Sequence, residues 1–554
     1  MSTSRTASTR RAARRRTAVI AVGVASALAL TACSAPAAQE EGGGGIEWEM
    51  TTQTAAPSGD IDSFSWASYA EPYTLDYAYA FDYADNQVLA NVCESLLRLN
   101  PDFTLTPGLA ESFEHPDPLT WVYNIRPGVT FHDGTPLTAA DAVASMSRII
   151  DPAVGASWYS VYQNVVSIEQ TGDMQVTVKT GIPDSQFNLG MGGSAGVIES
   201  AATLAAAGTD YGNSSGGVNC TGPFSLDKWQ QGESITLKRN DNYWDTDLTA
   251  KSAEVKIVFI NDATARVNAL KSGDVDGSWM IPMEGVTQLQ SSGAGEMYYG
   301  LNTAVSNLVI SNLDGPLGDP NVRKALLMAI DRQGIVDAAY KGVGEVTDVH
   351  TTKSVWVGAS DAAVTAAFDG VEDYPYDLEA AKKLVEDAGV AGEELVFVTA
   401  PIGNDFNVIA QATAAAGAAI GLKVTIQTVT PNAYTTLFSD PSAREGVDLF
   451  YTSWYLSSPD PLEMYGVLRT GEFSNYGNWS NPEFDALVTE ALGIDDPAER
   501  SAVTAQAQAL ANAELPWLPL FTGPTTMFLG KRITGVAPSV AYLYYPWAAT
   551  IGAR

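Results

Sequence analysis

The residues that could carry out chemistry are few, and the most suggestive group is the run Gly192-Gly193-Ser194-Ala195-Gly196. It fits the G-x-S-x-G pattern of serine hydrolases, and His350 follows in the order that such enzymes use. A nucleophile elbow needs a strand that runs directly into the serine, and Asn188-Leu189-Gly190-Met191 is a poor strand sequence. Short motifs of this kind often match by chance. We therefore expect a loop at Ser194 and no enzymatic activity, with a secreted serine hydrolase as the remote alternative.

Histidine and cysteine are also scarce. The chain has three histidines, His115, His132 and His350, far apart in sequence, so we expect no metal centre and no cofactor. The three cysteines are Cys33, Cys93 and Cys220.

The first 33 residues predict export. An arginine-rich start is followed by an apolar stretch of about 13 residues, too short for a membrane span, and then by Leu30-Thr31-Ala32-Cys33. This ending resembles the lipobox of bacterial lipoproteins, in which the cysteine thiolate takes the lipid. We expect residues 1–32 to be a signal peptide, Cys33 to be lipidated and residues 33–60 to form a flexible tether. The paired arginines leave both the general and the twin-arginine export routes open.

Export would place the two remaining cysteines in an oxidising compartment. In an oxidising compartment an isolated pair, here Cys93 and Cys220, is typical of one disulfide, and two buried free thiols are the alternative.

Length and charge limit the classes of function. The chain of 554 residues exceeds what one hydrophobic core supports, so several domains are expected. Its formal charge of −33 argues against binding of nucleic acid or of anionic membranes through the protein surface.

Local patterns from Ile61 onward predict an α/β protein, with strands alternating with amphipathic helices. Trp121–Ile125 alternates like a strand. Thr138 and Asp141 match a capping box at the start of a helix. Asp319-Pro320 predicts another helix start, and Asp377 with Gly389 brackets a third helix.

Six blocks, taken in order, make the chain resemble the oligopeptide/dipeptide-binding family of solute-binding proteins (family 5). They are Arg126–Asp141; Thr221–Phe224 with Trp229, Gly232 and Asn240–Trp244; Ala269–Asp276; Val322–Leu326 with Ala329–Arg332; Ser453-Trp454 with Pro459–Pro461; and Ser480–Asp485.

The resemblance implies an α/β, two-lobed periplasmic-binding-protein-like fold of the class II (cluster C) type, with an extra domain inserted in the first lobe. Domain I would comprise residues 61–96, 221–301 and 525–554. Domain II would be the insertion 97–220, and domain III would span 302–524. The crossings between domains I and II fall just after Cys93 and just after Cys220, so this layout implies a disulfide between them.

The resemblance also implies the function and the partners. A monomer, held at the extracytoplasmic face of the membrane by its lipid alone, would capture peptides or peptide-like solutes. It would deliver them to an ABC permease, which consists of two membrane subunits with ATPases.

One segment is expected to contact the ligand, namely Trp454, Tyr455, Ser457 and, as an alternative anchor, Asp460. Peptide-binding members carry an aspartate three residues after the tryptophan, and it pairs with the ligand's α-ammonium. Here that position is Ser457, which supplies no countercharge. The stretch 390–443 also lacks the carboxylate-binding arginine of dipeptide-specific relatives. These departures leave an oligosaccharide, a siderophore-like solute or an N-blocked peptide as alternative ligands.

Overall fold

The computed structural model of the protein describes residues 46–554. The strands are β1 (Ile61–Ser68), β2 (Leu97–Leu99), β3 (Leu105–Pro107), β4 (Ala110–Asp117), β5 (Thr120–Ile125), β6 (Val165–Gly172), β7 (Gln175–Thr180), β8 (Phe224–Gln230), β9 (Ser234–Arg239), β10 (Ser252–Phe259), β11 (Gly277–Trp279), β12 (Gly295–Gly300), β13 (Val305–Ile310), β14 (Glu345–Val346), β15 (Glu394–Thr399), β16 (Lys423–Thr428), β17 (Leu449–Trp454), β18 (Trp517–Thr522), β19 (Thr525–Gly530), β20 (Ile533–Thr534) and β21 (Gly552–Ala553).

The helices are α1 (Tyr83–Val92), α2 (Ala139–Ile150), α3 (Tyr159–Tyr162), α4 (Ser185–Gly190), α5 (Ala201–Ala207), α6 (Ala263–Ser272), α7 (Met283–Ser292), α8 (Pro320–Ala329), α9 (Arg332–Tyr340), α10 (Asp361–Asp369), α11 (Leu378–Ala388), α12 (Asn404–Ile420), α13 (Pro431–Ser439), α14 (Leu462–Gly466), α15 (Pro482–Leu492) and α16 (Pro497–Glu514). In the part of the chain described, no helix combines the length and the apolar character that a membrane span requires.

A seven-stranded sheet has the order β12-β19-β11-β1-β10-β9-β8. Its central strand β1 runs parallel to β10 and β11, and the other neighbours pair antiparallel. The core under this sheet contains Trp66, whose ring centroid lies 4.6 Å from that of Trp547 and 5.4 Å from that of Trp279. Residues from three distant stretches of the chain therefore share one core.

A four-stranded antiparallel sheet, β4-β5-β7-β6, is formed entirely by residues between β1 and β8. Helix α2 packs on it and begins with the predicted capping box, in which the Thr138 side chain accepts from the Asp141 N–H and the Asp141 carboxylate accepts from the Thr138 N–H. The predicted strand at Trp121–Ile125 is confirmed as part of β5.

A six-stranded sheet, β14-β18-β13-β17-β15-β16, is built from the stretch between β12 and β19. Strand β13 is antiparallel to β17 and β18, while β15 is parallel to β16 and β17. The predicted starts of α8 and α11 are confirmed, because Asp319 and Asp377 accept hydrogen bonds from backbone N–H groups of their first turns. Gly389 ends α11 in the left-handed conformation, with φ of 72°.

The segment of residues 46–60 differs from the expected flexible tether. The Thr51 N–H donates to the Tyr299 carbonyl at 2.7 Å, and the Ser58 N–H donates to the Ala553 carbonyl at 2.8 Å. The Trp48 indole donates to the Gly342 carbonyl at 3.2 Å. The tether prediction is therefore wrong for residues 46–60, because their backbone groups are paired with distant parts of the fold. Residues 33–45 of the predicted tether, like the predicted signal peptide and Cys33, lie outside the described residues.

Candidate functional site

The end of β17 brings the predicted ligand segment to the junction between the two large sheets. The Thr303 hydroxyl, just before β13, donates to the Leu456 carbonyl at 2.9 Å, and the Leu456 N–H lies 3.1 Å from the same hydroxyl. These contacts hold the chain as it leaves the six-stranded sheet. Tyr455 then crosses to the other side, where its hydroxyl donates to the Phe81 carbonyl at 2.8 Å. Its ring lies 5.3 Å from that of Tyr83 at the start of α1.

A small cavity lies at this junction. Its lining comes from three stretches of the chain: Leu99 and Phe103; Thr303 and residues 456–459; and Val540, Ala541, Leu543 and Tyr544. The predicted site residue Ser457 lines the cavity. Trp454 lies three residues earlier, at the end of β17; it is partly exposed, and its ring lies 5.4 Å from that of Trp517.

Ser457 and its neighbour Ser458 share one acceptor, the carboxylate of Glu463. The Ser457 N–H and hydroxyl donate to Oε1 at 2.8 and 2.9 Å. The Ser458 N–H and hydroxyl donate to Oε2 at 2.7 and 2.6 Å. Burial raises the pKa of Glu463, and these hydrogen bonds oppose the rise. Sequence reasoning missed Glu463, whose only signal is that it follows the two serines within six residues.

Asp460, the alternative ligand anchor, is occupied elsewhere. Its Oδ2 accepts from Nε of Arg500 at 2.7 Å and lies 2.6 Å from Nη2, and the two side chains are only 6% and 5% exposed. Its Oδ1 accepts from the Leu462 N–H at 2.9 Å. Both oxygens of Asp460 hold the turn that follows the ligand segment.

Two further carboxylates lie near Tyr455. Asp82 caps α1, and the Asp85 carboxylate accepts from the Tyr73 N–H at 2.7 Å. Burial, followed by repulsion from Asp82, raises the pKa of Asp85 to about 7. Burial also raises the pKa of the Tyr455 hydroxyl, and the charges of Glu463, Asp82 and Asp85 add to the rise.

The other aromatic residues of this region have separate roles. Tyr451 is buried, and its hydroxyl lies 3.1 Å from that of Ser306. Tyr465 is fully buried, and its hydroxyl donates to the Gln508 side chain at 2.7 Å. Both residues belong to the core around the six-stranded sheet.

Cys93 and Cys220 lie at the junction between the seven-stranded and four-stranded sheets. Cys93, at the end of α1, and Cys220, shortly before β8, form a disulfide with their Cα atoms 4.9 Å apart. The bridge joins the two chain crossings that flank the four-stranded sheet. Because the two sulfurs are bonded to each other, neither is free to bind a metal ion, although the Glu199 carboxylate lies beside them.

Ser194 and His350 do not come together. Ser194 is buried in a short 3₁₀ turn, preceded by helix α4 rather than by a strand, and its hydroxyl donates to the Asn86 side chain at 2.9 Å. His350 is buried elsewhere, with Nδ1 2.9 Å from the Asn307 side-chain oxygen. This placement agrees with the prediction of a loop at Ser194. No strand leads into the serine, as a nucleophile elbow would require.

Comparisons with known proteins agree with the resemblance. The family "Bacterial extracellular solute-binding proteins, family 5 Middle" matches residues 104–476. The glutathione-binding protein GsiB of Escherichia coli K12 is 26% identical over 470 residues, which cover 83% of this chain and 89% of GsiB.

Solved structures show the same fold. The oligopeptide-binding protein AppA of Bacillus subtilis, in complex with a nonapeptide, superposes with a TM-score of 0.76 at 23% identity, over 90% of this chain and 100% of AppA. AgaA of Agrobacterium tumefaciens R10, in complex with agropinic acid, has a TM-score of 0.76 at 23% identity, over 89% of this chain and 99% of AgaA. The two-lobed fold with an inserted domain is therefore confirmed.

Proposed function

Since this chain belongs to the bacterial extracellular solute-binding proteins of family 5, the substrate-binding components of ABC importers, we propose that it captures a peptide or a peptide-like solute. GsiB, a glutathione-binding protein, and the nonapeptide complex of AppA support this ligand class. The solute would be enclosed between the lobe of the seven-stranded sheet and that of the six-stranded sheet, and handed to a membrane permease coupled to ATPases.

The observation that carries the proposal is the path of the chain from Trp454 to Pro459. This segment leaves one lobe, contacts the other through the Tyr455 hydroxyl and lines the cavity between them. A ligand that contacts both lobes stabilises the closed state by the difference in its contacts between the open and closed states. We therefore propose Trp454, Tyr455 and Ser457 as ligand-contacting residues.

Binding to defined probes tests the proposal. Ligand-free protein, obtained by unfolding and refolding, is screened by thermal shift against pools of di- to nonapeptides and against glutathione. A ligand at 100 times its Kd adds about 2.7 kcal/mol of stability. Trp454→Ala should weaken the best binder by about 2 kcal/mol, roughly 30-fold. Phe473→Ala, at an aromatic residue that is 59% exposed, serves as the control. Absence of binding to every peptide pool would refute the peptide assignment.

A second ligand class has one observation in its favour. AgaA was solved in complex with agropinic acid, so this fold accommodates that solute as well as the nonapeptide bound by AppA. An oligosaccharide, a siderophore-like solute or an N-blocked peptide belongs to the same screen. Saturable binding of one of these pools, with the peptide pools inactive, would favour this alternative.

The domain layout and the membrane attachment are part of the same proposal. Domain I (61–96, 221–301 and 525–554) corresponds to the seven-stranded sheet, domain II (97–220) to the four-stranded sheet and domain III (302–524) to the six-stranded sheet. A lipid on Cys33 would hold a monomeric protein at the extracytoplasmic face of the membrane, beside the permease.

A further inference from the structure

The domain of the four-stranded sheet touches the lobe of the six-stranded sheet as well as its own lobe. Nδ1 of His115, on the edge strand β4, lies 2.8 Å from Oδ2 of Asp495, in the loop between α15 and α16. These two helices pack in the core around the six-stranded sheet. Among residues 46–554, this is the only pair of a basic and an acidic side chain that joins that domain to that lobe. The contact links positions 380 residues apart in the chain.

The ring of His115 is held in one orientation. It stacks on the ring of Trp121, with the centroids 3.8 Å apart and the planes 1° from parallel. An ionised carboxylate can only accept, so Nδ1 carries the proton and donates to Asp495, whether the imidazole is neutral or charged. Along β4 from Glu111 to Asp117, every residue except His115 is exposed. The stacking and the bond to Asp495 therefore cover one particular side chain of an otherwise open strand.

A second contact between the same two parts involves Gly493, two residues before Asp495. A Cβ added to Gly493, at the end of α15, would lie 3.7 Å from the Cβ of Pro183, which follows β7. This is an ordinary van der Waals distance, so the two segments touch with no side chain on the glycine. Gly493 has φ of −82°, which residues other than glycine adopt readily. Its backbone can therefore carry another residue without strain.

Neighbouring residues extend this contact surface. Burial raises the pKa of Asp184, next to Pro183, and the charge of Arg469, on the lobe of the six-stranded sheet, is among the effects that oppose the rise. Further along the chain, a Cβ added to Gly193 would lie 3.7 Å from the carbonyl oxygen of Ser457. Three separate stretches of the domain of the four-stranded sheet therefore reach the same lobe.

We propose that the domain of the four-stranded sheet is a closing surface, which docks on the loop between α15 and α16 and holds the two lobes together over the solute. The chain itself crosses between the lobes elsewhere, at residues 301–304 and 523–524, where the Asn302 side chain donates to the Gly523 carbonyl at 2.9 Å. Rotation about these crossings would separate His115 from Asp495. A contact made only in the closed state shifts the equilibrium toward that state. The inference rests on the proposed capture of a solute between the lobes, but its first test needs no solute.

An engineered disulfide tests the docking. The separation of 3.7 Å between the Cβ positions of residues 183 and 493 falls within the range of disulfides, about 3.5–4.5 Å. The full-length variant Pro183→Cys/Gly493→Cys, refolded without solute and treated with oxidised glutathione, should therefore form this bond, identified by peptide mapping. In the control Pro183→Cys/Glu483→Cys, the second thiol lies near the start of α15, about 15 Å away along the helix, and should not cross-link. Equal cross-linking of the two pairs, or none in either, refutes the docking.

The rate of cross-linking measures the contribution of the His115–Asp495 bond, because without solute the rate follows the fraction of docked molecules. The engineered bond is first reduced selectively, since residues 183 and 493 are exposed and the native bridge is buried. Two further changes should each slow the reaction about 2- to 10-fold, the range for loss of one hydrogen bond: Asp495→Ala, and His115→Phe, which keeps a ring on Trp121 but has no donor. Asp495→Asn, which keeps an acceptor, should be slowed less than Asp495→Ala. The control Glu490→Ala, at an exposed glutamate of α15, should react at the parent rate. Unchanged rates in both Asp495→Ala and His115→Phe refute the role of the bond.

If the double-cysteine variant does not melt cooperatively, hydrogen exchange of residues 111–117 decides. Exchange should then be faster in Asp495→Ala than in wild type and Asp495→Asn, and equal exchange in all three overturns the proposal.

Peptide binding separates this inference from the proposed function. In titration calorimetry with pools of tripeptides, the cross-linked protein should not bind, because its lobes cannot open, and reduction of the engineered bond should restore binding. Tripeptides that bind the cross-linked and reduced forms equally refute the closing role. Cross-linking in a protein that binds none of the peptide pools supports the docking and refutes the peptide assignment. Peptide binding by a protein that does not cross-link keeps the proposed function and refutes the docking.

Discussion

Asp460→Ala should destabilise the protein strongly, because it leaves the Arg500 guanidinium buried without its countercharge. Arg500 cannot turn toward solvent easily, since Nη1 also donates to the carbonyls of Ile494 and Asp495 at 2.8 and 2.9 Å. The Arg500 side chain is only 5% exposed. Removal of one partner from such a pair costs about 3–5 kcal/mol.

Two companion variants separate the charge from the shape of the side chain. Asp460→Asn retains an oxygen for the Leu462 N–H and loses the charge, so it should cost about 1.5–3 kcal/mol. In Asp460→Ala/Arg500→Met no charge is left buried, and much of the loss should be recovered. The double-mutant cycle then gives the coupling free energy between the two residues.

The free energies of unfolding come from urea denaturation followed by tryptophan fluorescence, with linear extrapolation to zero denaturant. A loss below about 1 kcal/mol for Asp460→Ala, or additive single and double variants, would refute the reasoning. Ligand affinity gives a second readout. Under conditions in which Asp460→Asn is fully folded, its affinity for the ligand should lie within about threefold of the wild-type affinity. If Asp460 contacted the ligand, the variant would instead lose affinity without losing stability.

Three further predictions concern the disulfide, one titrating carboxylate and the anchor. Reduction of the Cys93–Cys220 bridge, which closes a loop of 127 residues, should lower the free energy of unfolding by up to about 4–5 kcal/mol, measured in urea with and without reductant; two titratable thiols in the native protein would contradict the bridge. Burial, with the charge of Asp82, raises the pKa of Asp85 to about 7, so the folded state binds a proton between about pH 4 and pH 7 that the unfolded state releases. The free energy of unfolding should therefore fall by at most about 4 kcal/mol as the pH rises through this window. Asp85→Asn should reduce this decline, and an unchanged slope in the variant would contradict the assignment of the titration to Asp85. Cys33→Ala should release the protein from the membrane fraction on cell fractionation, and a variant that stays bound and is processed normally would exclude lipidation.

Several elements were predictable from the sequence because their signals are local. The capping box of Thr138 and Asp141 spans four residues, and the caps of α8 and α11 involve side chains next to the first turn. Their hydrogen bonds form within one turn of the chain, whatever the rest of the fold does. The six ordered blocks then indicated the family, and with it the two-lobed architecture.

The composition of the site depended on contacts between residues distant in sequence. Ser457 was recognisable from its place in the ligand segment, but the folded turn brings Glu463 back onto it and assigns Asp460 to Arg500, 40 residues away. Residues 46–60 have a composition typical of a tether, yet Thr54 is paired with Val536, 482 residues along the chain. A local sequence pattern indicates which backbone conformations are favourable. The partner of a buried charge depends on how distant segments pack together, and a local pattern carries no information about that packing. For that reason the family and the local elements could be predicted from the sequence, whereas the partners of Ser457 and Asp460 were decided by the tertiary structure.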